Sequence, residues 1–178
     1  HFGAWCTVSA PLIIGYDVTK SEVTDRVWDI LTNDEALAVS QTWAGHPGTL
    51  LDQSADTWHH TYPEHIQQEM KGANSKYDGI YLDESVEGID VALYQIWGKP
   101  QGSGKWAVLL MNNNGNTSAD ITLQFSKVPG LNTNNVALRS IWDKKDLGTF
   151  STSYTAKGVL AYDSEFLVLT PSSEQQTE

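Results

Sequence analysis

Cysteine is almost absent: Cys6 stands alone in 178 residues, so no disulfide can close within the chain and no cysteine-built metal cluster can form. Basic residues are also scarce. Eleven Lys and Arg face 22 Asp and Glu, a net charge of −11, which repels phosphate backbones and anionic lipid surfaces and argues against nucleic acid as a partner. Long apolar runs are missing as well; none approaches the roughly 18 residues of a membrane-spanning helix, which argues against membrane insertion. The chain opens on His1 rather than Met and reads as a piece of something longer. An apolar share of 40% suits one sizeable domain or two small ones.

Apolar groups at Phe2, Trp5, Cys6 and Val8 predict a one-sided helix within residues 1–10, stopped by Pro11. Leu12, Ile13 and Ile14 follow without alternation, the pattern of a parallel strand buried on both faces, and Gly15 ends the run. Ser21 is placed to cap the next helix, with Glu22 and Asp25 in its first turn. The buried stripe of that helix would be Val23, Val27, Ile30 and Leu31, with Trp28 at the margin. Asn33 would cap a short further helix through Ala36, Leu37 and Val39.

Beyond Ala44 the apolar period changes from helical to two. Val91, Leu93, Gln95 and Trp97; Trp106, Val108 and Leu110; Ile121, Leu123 and Phe125; Val136, Leu138, Ser140 and Trp142; and Phe166 and Val168 mark candidate strands. The turn-rich stretches GKPQGSG, NNNGNTS, VPGLNTNN and DKKDLG separate them, a pattern that predicts an antiparallel sandwich. The expected division is residues 1–43, residues 44–171 with an irregular polar insertion at 52–89, and a flexible tail at 172–178. A single strand buried on both faces needs parallel neighbours that no later segment offers, so they would come from outside the chain.

The stretches WCTVSAPLIIGYDV (5–18), VWDILTNDEALAVSQ (27–41) and AGHPG (44–48) resemble the α-galactosidases of glycoside hydrolase family 27. Leu37 and Ser40 replace the Ile and Asn usual in the second of these. YQIWGKP, WAVLLMNN, SIWDKKDLGTF and FLVLTPS continue the likeness in the order of the plant-type enzymes. The resemblance covers most of residues 1–51 and 90–171. It implies an α/β plus all-β chain: the last βα unit of a (β/α)8 barrel, incomplete alone, followed by a C-terminal antiparallel β-sandwich.

The same resemblance implies a retaining glycosidase acting on terminal α-linked galactose through two carboxyl groups about 5–5.5 Å apart. In the family these are aspartates of the fourth and sixth barrel strands, which would precede His1. This chain is therefore expected to hold no catalytic residue and to be inactive alone, closing the barrel with its strand and helix and buttressing it with the sandwich. The implied partners are the N-terminal barrel portion of the same protein, as a second chain or a preceding segment, and a carbohydrate substrate or glycan. No cofactor is implied. A secreted or lysosome- or vacuole-like location is, and seven Trp and seven Tyr suit an extracellular carbohydrate-active protein. The alternative is a non-catalytic structural or carbohydrate-binding component of an extracellular assembly built on the same scaffold.

Tyr16 and Asp17 would sit at the C-terminal end of the eighth strand, either lining the rim of the active site or, for Asp17, supporting the following loop. Lys76-Tyr77-Asp78 spells the family's nucleophile triplet, but it follows the last barrel helix rather than preceding it, so Asp78 reads as a turn aspartate. His59, His60, Glu64 and His65 lack the regular spacing of a metal site because Pro63 interrupts them, and no metal is expected. Trp97, Trp106 and Trp142 fit a sandwich core better than a sugar-stacking platform. Asn116-Thr117-Ser118 is a candidate glycosylation acceptor in a turn. Cys6 is either a buried apolar filler or a partner for an upstream cysteine.

Overall fold

The computed structural model describes residues 1–68, 87–132 and 134–171. Three helices lead: α1 (Phe2–Val8), α2 (Ser21–Leu31) and α3 (Asp34–Gln41). The strands follow as β1 (Thr49–Gln53), β2 (Thr57–Thr61), β3 (Gly88–Ala92), β4 (Tyr94–Gly102), β5 (Lys105–Asn112), β6 (Ala119–Gln124), β7 (Val136–Ser140), β8 (Lys145–Phe150), β9 (Ser153–Val159) and β10 (Ser164–Pro171). Six strands form one antiparallel sheet in the order β1-β4-β5-β10-β7-β8, while β6 pairs with β9 and β2 with β3.

The middle strands explain the layering. On β5, Trp106, Val108 and Leu110 point to one side and pack with Ile121 and Leu123 of β6 and Ala156 of β9. Ala107 and Leu109 point to the other side, where Cys6 of α1 and Ala36 and Val39 of α3 cover them. Side chains alternate faces along a strand, so an unbroken apolar run suits a strand clamped between two layers. Each fully buried leucine here contributes about 1.5–3 kcal/mol of transfer free energy. The result is a three-layer stack: the pair α1 and α3, the six-stranded sheet, and the β6–β9 ribbon. Gly3 lets α1 approach the sheet, since a Cβ there would stand 2.9 Å from both Leu109 Cδ1 and Trp142 Cζ2.

The expected antiparallel sandwich is present, with differences of detail. The alternation drawn through Val91, Leu93, Gln95 and Trp97 breaks at Leu93, where the chain changes partners: the Leu93 amide donates to Asp56 O and the Ser54 amide to Tyr94 O. On β4 it is Ile96, not Gln95 or Trp97, that enters the core between the sheets. The stretch GKPQGSG is turn only at its end, because β4 runs through Gly102. Pro100 fits there because β1 pairs no further than Gly98, so the proline's missing N–H removes no bond to β1. Residues 52–53, 57–61 and 88–89 are not irregular: they supply the end of β1, all of β2 and the start of β3.

Asn33 caps α3 as expected, its Oδ1 accepting the amides of Glu35 and Ala36 at 3.1 and 3.0 Å. Ser21 does not cap α2. Lys20 holds that position without a side-chain bond, because the Asp17–Thr19 turn delivers the chain into the helix one residue earlier. The segment Leu12–Ile14, expected as a strand, makes no ladder with any described residue, and Ile13 and Ile14 are 73% and 50% exposed. Its physical reason is the lack of neighbours, since every described sheet is antiparallel and lies elsewhere. No residue of α2 is buried. Asp78 and the tail 172–178 lie outside the described residues.

Candidate functional site

The apolar residues of the N-terminal part converge on one open groove of about 390 Å³. Phe2 and Trp5 of α1 form one wall, Val27 and Leu31 of α2 the other, and Leu12 to Tyr16 run along it. Ile13 and Ile14 are exposed within the groove, and Trp28 and Ile30 of α2 add exposed apolar surface outside it. A contiguous face of this kind on an acidic chain marks a contact surface rather than a solvated one.

Tyr16 lies half-buried at the end of this groove, and Asp17 follows it fully in solvent. The Asp17 carboxylate accepts from the Thr19 hydroxyl at 2.6 Å and from the Thr19 amide at 3.0 Å. Those two donors, the hydroxyl foremost, hold its pKa below the ordinary carboxylate value. One carboxylate oxygen is thus committed to the turn that starts α2.

The histidines diverge. His59 Nδ1 meets Asp90 Oδ1 at 2.8 Å, while His60 Nδ1 meets the Tyr162 hydroxyl at 3.0 Å. Among the described residues no group of three His, Cys, Asp or Glu is placed to hold a metal ion. The tryptophans are also apart: Trp106 belongs to the core between the sheets, Trp142 packs on Phe166 on the helix-covered face at 5.3 Å, and Trp97 Nε1 donates to Gln95 Oε1 at 3.2 Å. They form no common platform. Asn116, Thr117 and Ser118 are all exposed.

Three charged groups of structural weight were not legible in the sequence. Lys99 of β4 is fully buried and donates from Nζ to the carbonyl oxygens of Val39 and Ser40, the latter at 3.1 Å. It thereby neutralises the negative end of α3. Burial pulls its pKa down, and burial pushes the thiol of buried Cys6 up to about 11, with nearby Lys99 opposing. Arg139 of β7 grips Glu35 through Nε and Nη2 at 2.9 and 2.7 Å, so its pKa is raised by those hydrogen bonds. Glu165 of β10 has its pKa raised by burial first; the Ser140 hydroxyl opposes, and Asp143 and Asp163 add to the rise. Residue type alone signals none of these positions, because Lys, Arg and Glu are ordinarily surface residues.

Residues 92–163 match the family described as the α-galactosidase C-terminal β-sandwich domain. The probable α-galactosidase of Dictyostelium discoideum is 27% identical over 174 residues, which are 97% of this chain and 35% of that protein. The crystal structure of α-galactosidase I from Mortierella vinacea is similar with a TM-score of 0.67 at 21% identity, over 97% of this chain and 34% of that one. A family 27 β-L-arabinopyranosidase from Geobacillus stearothermophilus shares the fold with a TM-score of 0.62 at 15% identity, over 98% of this chain and 30% of that one. The chain spans about a third of the length of the relatives it matches. On these grounds residues 92–163 carry the α-galactosidase C-terminal β-sandwich domain, and over nearly its whole length the chain is similar to the sandwich-bearing part of α-galactosidases.

Proposed function

We propose that this chain completes and braces the barrel of a retaining α-galactosidase, and that the two carboxyl groups doing the chemistry belong to the portion preceding it. The observation that carries the reading is the exposed apolar face of Leu12 to Ile14 and α2, which sits beside a well-packed sandwich and has no covering layer among the described residues. A barrel's eighth strand needs its seventh and first as neighbours, and this face is where they would dock. The N-terminal barrel portion is the partner, and the work of α1 and α3 is to fix that face to the sandwich. Alone, the chain is inactive.

In this reading Tyr16 and Asp17 stand at the C-terminal rim of the eighth strand, the face on which such barrels bind substrate. Asp17 keeps one oxygen on Thr19 and thereby holds the rim loop at the start of α2. Terminal α-linked galactose is the substrate class, supported by the α-galactosidase relatives and the sandwich match. A secreted or vacuolar location fits that class; no helix among the described residues is long and apolar enough to cross a membrane. The test is hydrolysis of p-nitrophenyl α-galactopyranoside by the full-length protein, by this chain alone, and by the chain mixed with its N-terminal portion. Activity in the first and third and none in the second is expected. Activity of the chain alone would refute the assignment.

A further inference from the structure

The asparagines of the tract Asn112-Asn113-Asn114-Gly115-Asn116 are used in two different ways. Asn112 is buried and donates from Nδ2 to the carbonyl oxygens of Thr117, Val159 and Leu160 at 2.8, 3.0 and 3.1 Å, while its Oδ1 accepts the Asn114 amide. Asn113 donates to Ala92 O at 2.9 Å. Asn114 accepts the Asn116 amide at 2.8 Å and donates to Thr117 Oγ1 at 3.0 Å. Three side chains thus build a fixed turn between β5 and β6. The Asn116 carboxamide makes no hydrogen bond to any described residue, and it opens an exposed Asn-Thr-Ser triplet.

Against this turn lies Tyr162. A Cβ on Gly115 would stand 2.3 Å from the Tyr162 Oη and 2.6 Å from its Cζ, so the backbone of Gly115 rests directly on the ring. The Tyr162 hydroxyl meets His60 Nδ1 at 3.0 Å, and the two rings are edge to face at 5.9 Å. The residue is nevertheless 61% exposed and takes a left-handed backbone with φ 57°, a strained conformation for a residue with a bulky side chain. A fixed aromatic with one surface in water is a good seat for the C–H face of a pyranose, which is apolar while its hydroxyls stay hydrated.

We propose that Asn116 is an N-glycosylation acceptor and that the first sugar of its glycan rests on Tyr162. The donor class is a lipid-linked oligosaccharide diphosphate. Asn116 Nδ2 forms a bond to C1 of the first N-acetylhexosamine, the C1–O bond breaks, the lipid diphosphate leaves with the electron pair, and Nδ2 loses one proton to base. The fixed turn presents Nδ2 outward, and Tyr162 holds the product sugar against the β5–β6 link. The inference rests on the secreted location proposed above only for its biological setting.

The experiment secretes the full-length protein from a eukaryotic host behind a supplied leader, so its outcome is independent of the natural location. Mass spectrometry of the Asn116 peptide, before and after peptide N-glycosidase, should show a glycan on most copies and its loss as an Asn-to-Asp change. An unmodified peptide overturns the proposal. In the glycosylated protein the N-acetyl methyl resonance of the first sugar should be shifted upfield by the Tyr162 ring. An unshifted methyl overturns the stacking. Glycan removal should lower the thermal midpoint of the wild type and of Tyr162→Phe, and by no more than half as much in Tyr162→Ala; an equal drop in all three overturns it too. Galactosidase activity of the same preparations reports separately on the proposed function.

Discussion

Asn33 and Ile141, 108 residues apart, are joined by a 2.9 Å hydrogen bond from Asn33 Nδ2 to the Ile141 carbonyl oxygen. The same side chain caps α3 through its Oδ1. One buried carboxamide therefore starts a helix and ties it to the end of β7. Arg139–Glu35 and Lys144–Asp34 repeat the connection on either side of it. Through this seam α3, which follows the exposed α2, is fixed to the sandwich.

Replacing Asn33 separates its two roles. Asn33→Ala removes a cap worth about 0.5–2 kcal/mol and leaves the Ile141 carbonyl unpaired at a further cost of about 1–3 kcal/mol. Asn33→Asp keeps the cap oxygen, as a carboxylate suited to a helix N-terminus, but sets an acceptor oxygen in place of the donor to the Ile141 carbonyl. Urea unfolding of the full-length protein should rank wild type above the Asp variant and the Asp variant above the Ala variant. Equal stability of wild type and Asn33→Ala would contradict the seam.

Gly3 tests the close seating of α1. Because an added methyl carbon would stand 2.9 Å from both Leu109 and Trp142, Gly3→Ala should overpack the helix–sheet layer and destabilise by about 1–3 kcal/mol, although alanine favours a helix. The check is the unfolding midpoint. A gain in stability would mean that α1 is loosely held.

Glu165 sets a pH dependence. Its folded pKa is raised, so the ionised carboxylate is less welcome in the native state than in the unfolded chain. The stabilisation associated with this group is fully present below the unfolded value of about 4.3 and is lost as pH rises through the folded value. Glu165→Gln should therefore raise the thermal midpoint at about pH 7, and the advantage should shrink toward about pH 3. An advantage that does not change with pH would contradict the assignment.

Several elements were legible because one physical rule decided them. The run Trp106 to Leu110 has no polar residue, and two covering layers account for that. Asn33 announced its cap by residue type and position. Ser21 did not, because the turn made by Asp17 and Thr19 settled the start of α2 before the serine was reached. Lys99, placed by residue type in a polar turn, is buried because α3 ends where its ammonium arrives, a tertiary coincidence that no local pattern encodes. The groove residues Leu12, Ile13 and Ile14 were recognisable as apolar and interior-seeking, but nothing among the described residues covers Ile13 and Ile14.

That cover is the central claim, and amide hydrogen exchange tests it most directly. In this chain alone, the amides of residues 12–16 should exchange as freely as an unpaired segment and the exposed apolar face should drive aggregation. Joined to the N-terminal portion, the same amides should become protected, as in a barrel strand with neighbours on both sides. A soluble monomer of the chain alone with residues 12–16 already protected would contradict the account.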